Sequence, residues 1–527
     1  MLGFVVMGYH PGLEDDGVYL AAVKADVQPA LYPHDAAFFR LQLKATVFDR
    51  WMAEFVDITR TPVPWAELIW QLLTLYLTLW AAHSIAAHLF AERRAQWAGV
   101  AMLAAMFTLP VAGTALYIAD QHLHPRNVAT ALILLAVSRI LAKRTWQAAA
   151  FLVLAVLMHP IMGALGVSFC CFLAASGSEW VSTWFRGAGV AGQVAGAFGW
   201  LRAPAGAKEA AEKGRNLDEM PAMRTSGAEA HARWARVMPG INPRPSAVVP
   251  SVWVFEAPSA EWREALLTRS YYFLYHWAWY EWVGAIAPMV LFGMLAAWAR
   301  WRGETMAARF ALAVFAYGVF QQAAAMVVLG FPALVRLVPL QPMRYLHLVY
   351  VFTALVGGCL LGRHVLKASA WRWAVLLIAV NAGMFVVQRA EFGHSPHLEL
   401  PGRDPGNAWL QAFAWVRQNT PKSAYFALDP HYMEAPGEDF HSFRALAERS
   451  QLADAVKDTA VVTQVPQLGT EWSRQVQAQT GWKQFKLQDF ERLKTQFGAD
   501  WALVSYPASK GLECPWHNDV LVVCHIP

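Results

Sequence analysis

Long apolar runs whose charges sit only at their ends dominate residues 1–390. They cover Trp65–Phe90, Gln96–Leu116, Pro125–Ala142, Thr145–Ser176, Tyr271–Trp298, Met306–Leu329, Arg344–Leu361 and Trp371–Val387. A helix needs roughly 20 apolar residues to cross a hydrocarbon core, so the pattern predicts an all-α polytopic membrane domain. Met1–Met7 is apolar but short, and reads as the stub of a first helix. It lacks the basic flank and small-residue cleavage site of a signal peptide. Counting it gives about nine membrane-embedded segments at one crossing per run. Thr145–Ser176 is longer than one crossing requires and is interrupted by His159-Pro160-Ile161-Met162-Gly163. It is either one helix kinked towards an internal cavity or a re-entrant pair of half-helices.

The polar stretches have structure of their own. After the breakers His10-Pro11-Gly12, Leu13–Val27 reads as a short helix with an acidic first turn, which suits the positive end of a helix dipole. Ala36–Ile58 carries Phe48, Trp51, Met52 and Phe55 on one face, the pattern of an amphipathic helix at the membrane surface or packed within the loop. Trp180–Pro250 is rich in Ala, Gly, Arg and Pro with little apolar periodicity, and reads as a mobile loop. From about Pro401 the pattern becomes that of a small α/β domain. Helices are predicted at Asn407–Gln418, Glu471–Ala478 and Leu487–Phe497, and strands at Ala424–Leu428, Trp501–Ser505 and Val520–His525. The division is therefore 1–390 for the membrane domain and 391–527 for the α/β domain.

Composition agrees with a membrane protein: of 527 residues 56% are hydrophobic and only 15% charged. Lys and Arg in short loops are retained on the cytoplasmic side. Arg93-Arg94, Lys143-Arg144, Arg300 with Arg302, and Arg363 with Lys367 and Arg372 fall in every second loop. Loops 9–64, 117–124, 177–270 and 330–343, and everything after Arg389, are thus expected on the opposite face. The net charge of +5 consists largely of these topology signals and does not point to nucleic acid. Cys170, Cys171 and Cys359 lie in apolar segments as small buried thiols, whereas Cys514 and Cys524 flank a hairpin in an oxidising compartment and are candidates for a disulfide.

Ionisable groups in a membrane protein are costly unless they line a cavity, so their clustering at one face points to a site. Glu14-Asp15-Asp16 offers paired carboxylates, one of which, if ionised, can deprotonate an acceptor hydroxyl. In Ala119–Arg126, alternation in an extended chain puts Asp120, His122 and His124 on one face as candidate ligands for a divalent metal. Arg126 begins the next helix, where a guanidinium can hold two oxygens of a lipid phosphate. Gln341-Pro342-Met343-Arg344 repeats that device, and Glu281, below the interface, needs a partner for which Arg344 is a candidate. His159, at the break, joins Arg126, Arg344 and Glu281 as a candidate substrate contact.

Several short motifs carry a resemblance. Asp15 and Asp16, with Tyr19 after them, stand in the first outer loop just past the first helix. Asp120-Gln121-His122 follows the third helix, Trp415-Val416-Arg417-Gln418-Asn419-Thr420-Pro421 opens the C-terminal domain, and Phe497-Gly498-Ala499-Asp500-Trp501 leads into a strand. The layout resembles the GT-C class of integral membrane glycosyltransferases, which take a sugar from a polyprenyl-phosphate or polyprenyl-diphosphate carrier. The run Pro436-Gly437-Glu438-Asp439-Phe440, with Phe443-Arg444 and Lys457-Asp458, also resembles bacterial membrane proteins of unassigned function. The resemblance implies a bacterial cytoplasmic (inner) membrane enzyme with a periplasmic C-terminal domain. It would use a polyprenyl-phosphate-linked sugar, bordering membrane lipid, to glycosylate an acceptor that the motifs do not identify. Asp15 and Asp16 take the catalytic place. The chain departs from the class at His122, where an acidic residue is usual, which bears on metal use. It also lacks the Trp-Trp-Asp-Tyr-Gly signature, which argues against N-glycosylation of protein. The rival readings are a transporter or flippase of a lipid-linked or anionic substrate, and a non-catalytic envelope scaffold.

Overall fold

The computed structural model describes residues 1–177, 258–404 and 406–527. Five helices are long and apolar enough to cross a membrane: Val63–Leu89, Trp279–Trp301, Thr305–Gly330, Pro342–Leu366 and Ala370–Glu391. Trp371, Val375, Ile378 and Val386 on the last of these stand exposed, a surface that lipid and not water covers. The protein is a multi-pass membrane protein by helix length and composition. Of the about nine segments expected at roughly 20 residues each, five thus reach full length among the described residues, and Thr145–Met158 and Pro160–Ala175 are shorter apolar helices.

The shortfall has local causes. Gln96–Leu116 is no single crossing, because the helix Arg93–Ala105 ends before Pro110 and the chain then forms a hairpin of β1 (Pro110–Val111) and β2 (Leu116–Tyr117). The segment Thr145–Ser176 takes the paired form: helices Thr145–Met158 and Pro160–Ala175 meet at His159. A Cβ added at Gly163 would lie 2.5 Å from the Cα of Val156, so the two halves turn back on one another. The turn rests on the first loop, with the Thr46 hydroxyl donating to the Met158 carbonyl at 2.8 Å and the Val47 amide to that of Leu157 at 3.1 Å. Gly163→Ala forces a methyl against backbone that cannot yield, and overpacking of this kind costs about 1–3 kcal/mol. A lowered melting temperature in detergent is expected, and an unchanged one contradicts the reversal at His159.

Gly177, at the far end of this pair, lies against Arg309 near the start of Thr305–Gly330. The reading of 177–270 as one loop at the site-bearing end is corrected at its beginning, and the reading of Trp180–Pro250 as mobile lies outside the described residues.

In the first loop, the helix expected over Ala36–Ile58 is two, Ala37–Leu43 and Phe48–Thr59. The break comes where the Thr46 hydroxyl accepts from the Phe48 amide at 3.1 Å. The aromatic face of the second helix packs on protein, with Trp51 and Phe55 against Trp70 at ring separations of 4.2 and 5.4 Å.

The C-terminal domain has a five-stranded mixed sheet ordered β4-β3-β5-β7-β6, made of β3 (Tyr425–Ala427), β4 (Ser450–Gln451), β5 (Trp501–Ser505), β6 (Glu513–His517) and β7 (Leu521–His525). β3 runs parallel to β4 and β5, while β7 is antiparallel to β5 and β6. Alternate residues feed two layers. Phe426, Trp501, Leu503 and Val523 pack with helix Ala408–Asn419, and Ala427, Ala502, Val504 and Val522 pack with helix Leu487–Phe497. Cys514 and Cys524 join β6 to β7 as a disulfide.

This domain is fused to the first loop. Val18, Tyr19, Phe38 and Met52 share one core with Val461, Val462, Leu468 and Trp472. The joint is closed by buried Arg444, whose guanidinium bonds Asp35 at 2.5 Å and Asp458 at 2.7 and 2.8 Å. Fusion of the two brings the candidate residues of the first loop against those of the α/β domain.

Candidate functional site

Asp15 and Asp16 begin the helix Asp16–Val27 but have different surroundings. Asp16 is 2% exposed and accepts from the Gly12 amide at 2.6 Å. Buried Glu67 is an electrostatic neighbour of this carboxyl. Burial pushes the Asp16 carboxyl up, opposed by nearby His122. It is a poor base. Asp15 instead keeps 37% of its side chain exposed, and Lys457 of the C-terminal domain reaches both Glu14 and Asp15 at 3.4 Å. Burial alone would raise its carboxyl, but Lys457, His124 and Arg126 hold it well below the usual carboxylate range. Asp15 is thus ionised and accessible.

The second loop supplies the cations. His124 caps the helix Pro125–Leu141: its Nδ1 accepts from the Arg126 amide at 2.9 Å. In the neutral ring that bond assigns the proton to Nε2, which faces Asp15 across 3.8 Å, beyond a direct hydrogen bond. Burial, helped by Arg126, lowers the imidazole to about 4, so it is neutral at pH 7. Arg126 grips Asp120 with Nε at 3.2 Å and Nη2 at 2.6 Å. Although burial opposes it, the guanidinium pulls Asp120 down to about 2. Arg126 Nη1 and His124 Nε2 remain buried without a hydrogen-bond partner, as do both ring nitrogens of His122. Buried donors are normally satisfied, so these orphans mark a place for a ligand or bound water.

Tyr19 ties the groups together. Its ring meets that of His124 at 4.8 Å, and burial, with Asp15, pushes its hydroxyl up to about 12 against the pull of Arg344 and Arg126. His159, 6.2 Å from the His124 ring, has Arg344, His124 and Arg126 as electrostatic neighbours. Arg344 donates from Nε to Gln341 at 2.5 Å, and Gln341 donates to the Tyr272 hydroxyl at 2.7 Å. These side chains border an apolar recess lined by Gly113, Thr114, Tyr271 and Leu329.

Asp15, His124, Arg126, His159 and Arg344 are therefore gathered. Glu281 is not: its carboxylate accepts from the Ala278 amide at 2.7 Å, capping its own helix, and the described ion pairs of the chain do not join it to Arg344. Asp120, His122 and His124 do not converge as a ligand set for a metal. Asp120 is spent on Arg126, and His124 has one nitrogen in its cap and the other towards Asp15. Lys457 is the residue that sequence reading left without a role. Nothing local announces that it lies over a carboxylate 442 positions away.

Residues 407–478, which contain Lys457, match the family described as "Domain of unknown function (DUF6798)". No curated protein matches the chain.

Proposed function

We propose that the protein is a membrane glycosyltransferase that moves a sugar from a polyprenyl-phosphate carrier to an acceptor hydroxyl. The site would lie at the outer face of a bacterial cytoplasmic membrane, with the α/β domain periplasmic. The observation that carries this reading is an ionised, accessible Asp15 beside buried, unpartnered Arg126 Nη1 and His124 Nε2. A base and anion-binding donors side by side are what transfer from a lipid phosphate requires. In that reaction Asp15 takes the proton of the acceptor hydroxyl as its oxygen bonds to the anomeric carbon. The bond from that carbon to the phosphate oxygen breaks, and the departing phosphate keeps the electron pair. Its charge is met by Arg126 and Arg344, while Lys457 holds Asp15 ionised. Asp16 acts through position, tethering Gly12 and the start of the helix.

The phosphate role is tested at Arg126. Hydrogen bonds to charged groups contribute about 1.5–3 kcal/mol, so Arg126→Lys, which keeps charge but loses the free Nη1 donor, is expected to raise KM for the labelled carrier sugar about ten- to a hundredfold. Unchanged KM in a folded variant removes Arg126 from the phosphate site, and absence of transfer by the wild-type protein with any carrier sugar defeats the enzyme reading.

A further inference from the structure

The seam between the first loop and the C-terminal domain contains a second constellation that the transfer reaction does not use. His10, Glu399 and His441 come from the first loop, the connector after Ala370–Glu391 and the α/β domain, respectively. His10 Nδ1 lies 2.6 Å from Glu399 Oε1, and His441 Nε2 lies 3.1 and 3.2 Å from the two oxygens of the same carboxylate. Both imidazoles are fully buried, and 9% of the Glu399 side chain is exposed. Among the described residues this is the group whose His, Cys, Asp or Glu ligand atoms all lie within 4.8 Å of one another.

We propose that His10, Glu399 and His441 form a structural site for one divalent transition metal of the zinc type, clamping the C-terminal domain to the membrane domain.

Three observations support it. The donor set of two imidazoles and one carboxylate is a zinc set that leaves a fourth position for water or the second carboxylate oxygen. The ring nitrogen of His441 turned away from Glu399, Nδ1, faces buried Glu438 at 3.2 Å. That is the carboxylate–histidine arrangement which orients a metal-bound imidazole and fixes its tautomer. Finally, the ligands are held by main chain rather than by side-chain reach. The Tyr9 amide donates to the His397 carbonyl at 3.0 Å and the Glu399 amide to that of Tyr9 at 2.9 Å. On the other side, the Glu14 amide donates to the Phe440 carbonyl at 2.9 Å and the Ser442 amide to that of Gly12 at 2.8 Å.

A metal here would lock together the segment bearing Gly12–Asp16 and the domain bearing Lys457. The proposal stands apart from the transferase reading, because its readout is metal content. The full chain, purified in detergent without a polyhistidine tag, is loaded separately with Zn2+, Co2+ and Mn2+, freed of excess by gel filtration and assayed by elemental mass spectrometry. About one zinc or cobalt per chain is expected, with cobalt showing the intense visible bands of a tetrahedral site. Glu399→Gln and His10→Asn should each lower retained metal at least tenfold, while His122→Asn keeps it. Because a ligand variant can also misfold, melting of the wild type is measured with and without zinc, and a zinc-dependent rise absent from Glu399→Gln is expected. A folded wild type that retains under a tenth of an equivalent overturns the proposal. So does full retention by both ligand variants, or loss in His122→Asn alone.

Discussion

Asp15→Asn is expected to lower kcat by about 10²–10⁴, the usual cost of removing a positioned general base, in a protein that melts at the wild-type temperature. The amide keeps the size of the side chain but accepts no proton, and Lys457 keeps Glu14 as its carboxylate partner. The pH profile carries the same information. Asp15 is active when ionised, and Lys457, His124 and Arg126 outweigh burial to hold it below the usual range, so activity should persist as pH falls through 5. It should fail only below about 4, the ordinary carboxylate value. An acid limb near 6.5 would indicate a histidine instead. Asp16→Asn should behave differently, because Asp16 is buried and accepts the Gly12 amide. Its effect falls on stability as well as rate.

The second large effect concerns the joint. Arg444→Leu removes a guanidinium that bonds Asp35 on one side and Asp458 on the other, leaving two buried carboxylates without their cation. Breaking a buried pair from one side costs about 3–5 kcal/mol, so the C-terminal domain is expected to undock or unfold well below the wild-type transition. Limited proteolysis near residues 391–407 and loss of near-ultraviolet dichroism report it. A wild-type melting profile would mean that the shared core of Tyr19, Phe38, Val461 and Trp472 holds the joint without Arg444.

The parts legible in the sequence are those set by local pattern. Apolar length marked five helices that the structure retains as candidate spans, and period-two runs marked β3, β5 and β7. The short strand β4 escaped because two residues at Ser450–Gln451 carry too little signal, while β6 was covered only by the hairpin expected between Cys514 and Cys524. Membrane length misled at Gln96–Leu116, where hydropathy is indifferent to Pro110 and the hairpin that follows. At the candidate site, acids and cations near helix starts could be named, since charge is conspicuous in an apolar chain. Their pairing could not. That Arg126 spends its fork on Asp120 and that Glu281 caps its own helix are local geometries that charge alone does not fix, and that Lys457 covers Asp15 is a consequence of packing between segments 442 positions apart.

The central claim is that these groups act on a lipid phosphate, and the most direct measurement supplies purified, lipid-reconstituted protein with polyprenyl phosphates bearing radiolabelled sugars. Extracts of envelope polymer serve as acceptor. The account predicts label leaving the carrier, free polyprenyl phosphate accumulating in step, and both disappearing with Asp15→Asn. Carrier sugars left intact by folded wild-type protein across the donor panel, or consumed equally fast by Asp15→Asn, would contradict it.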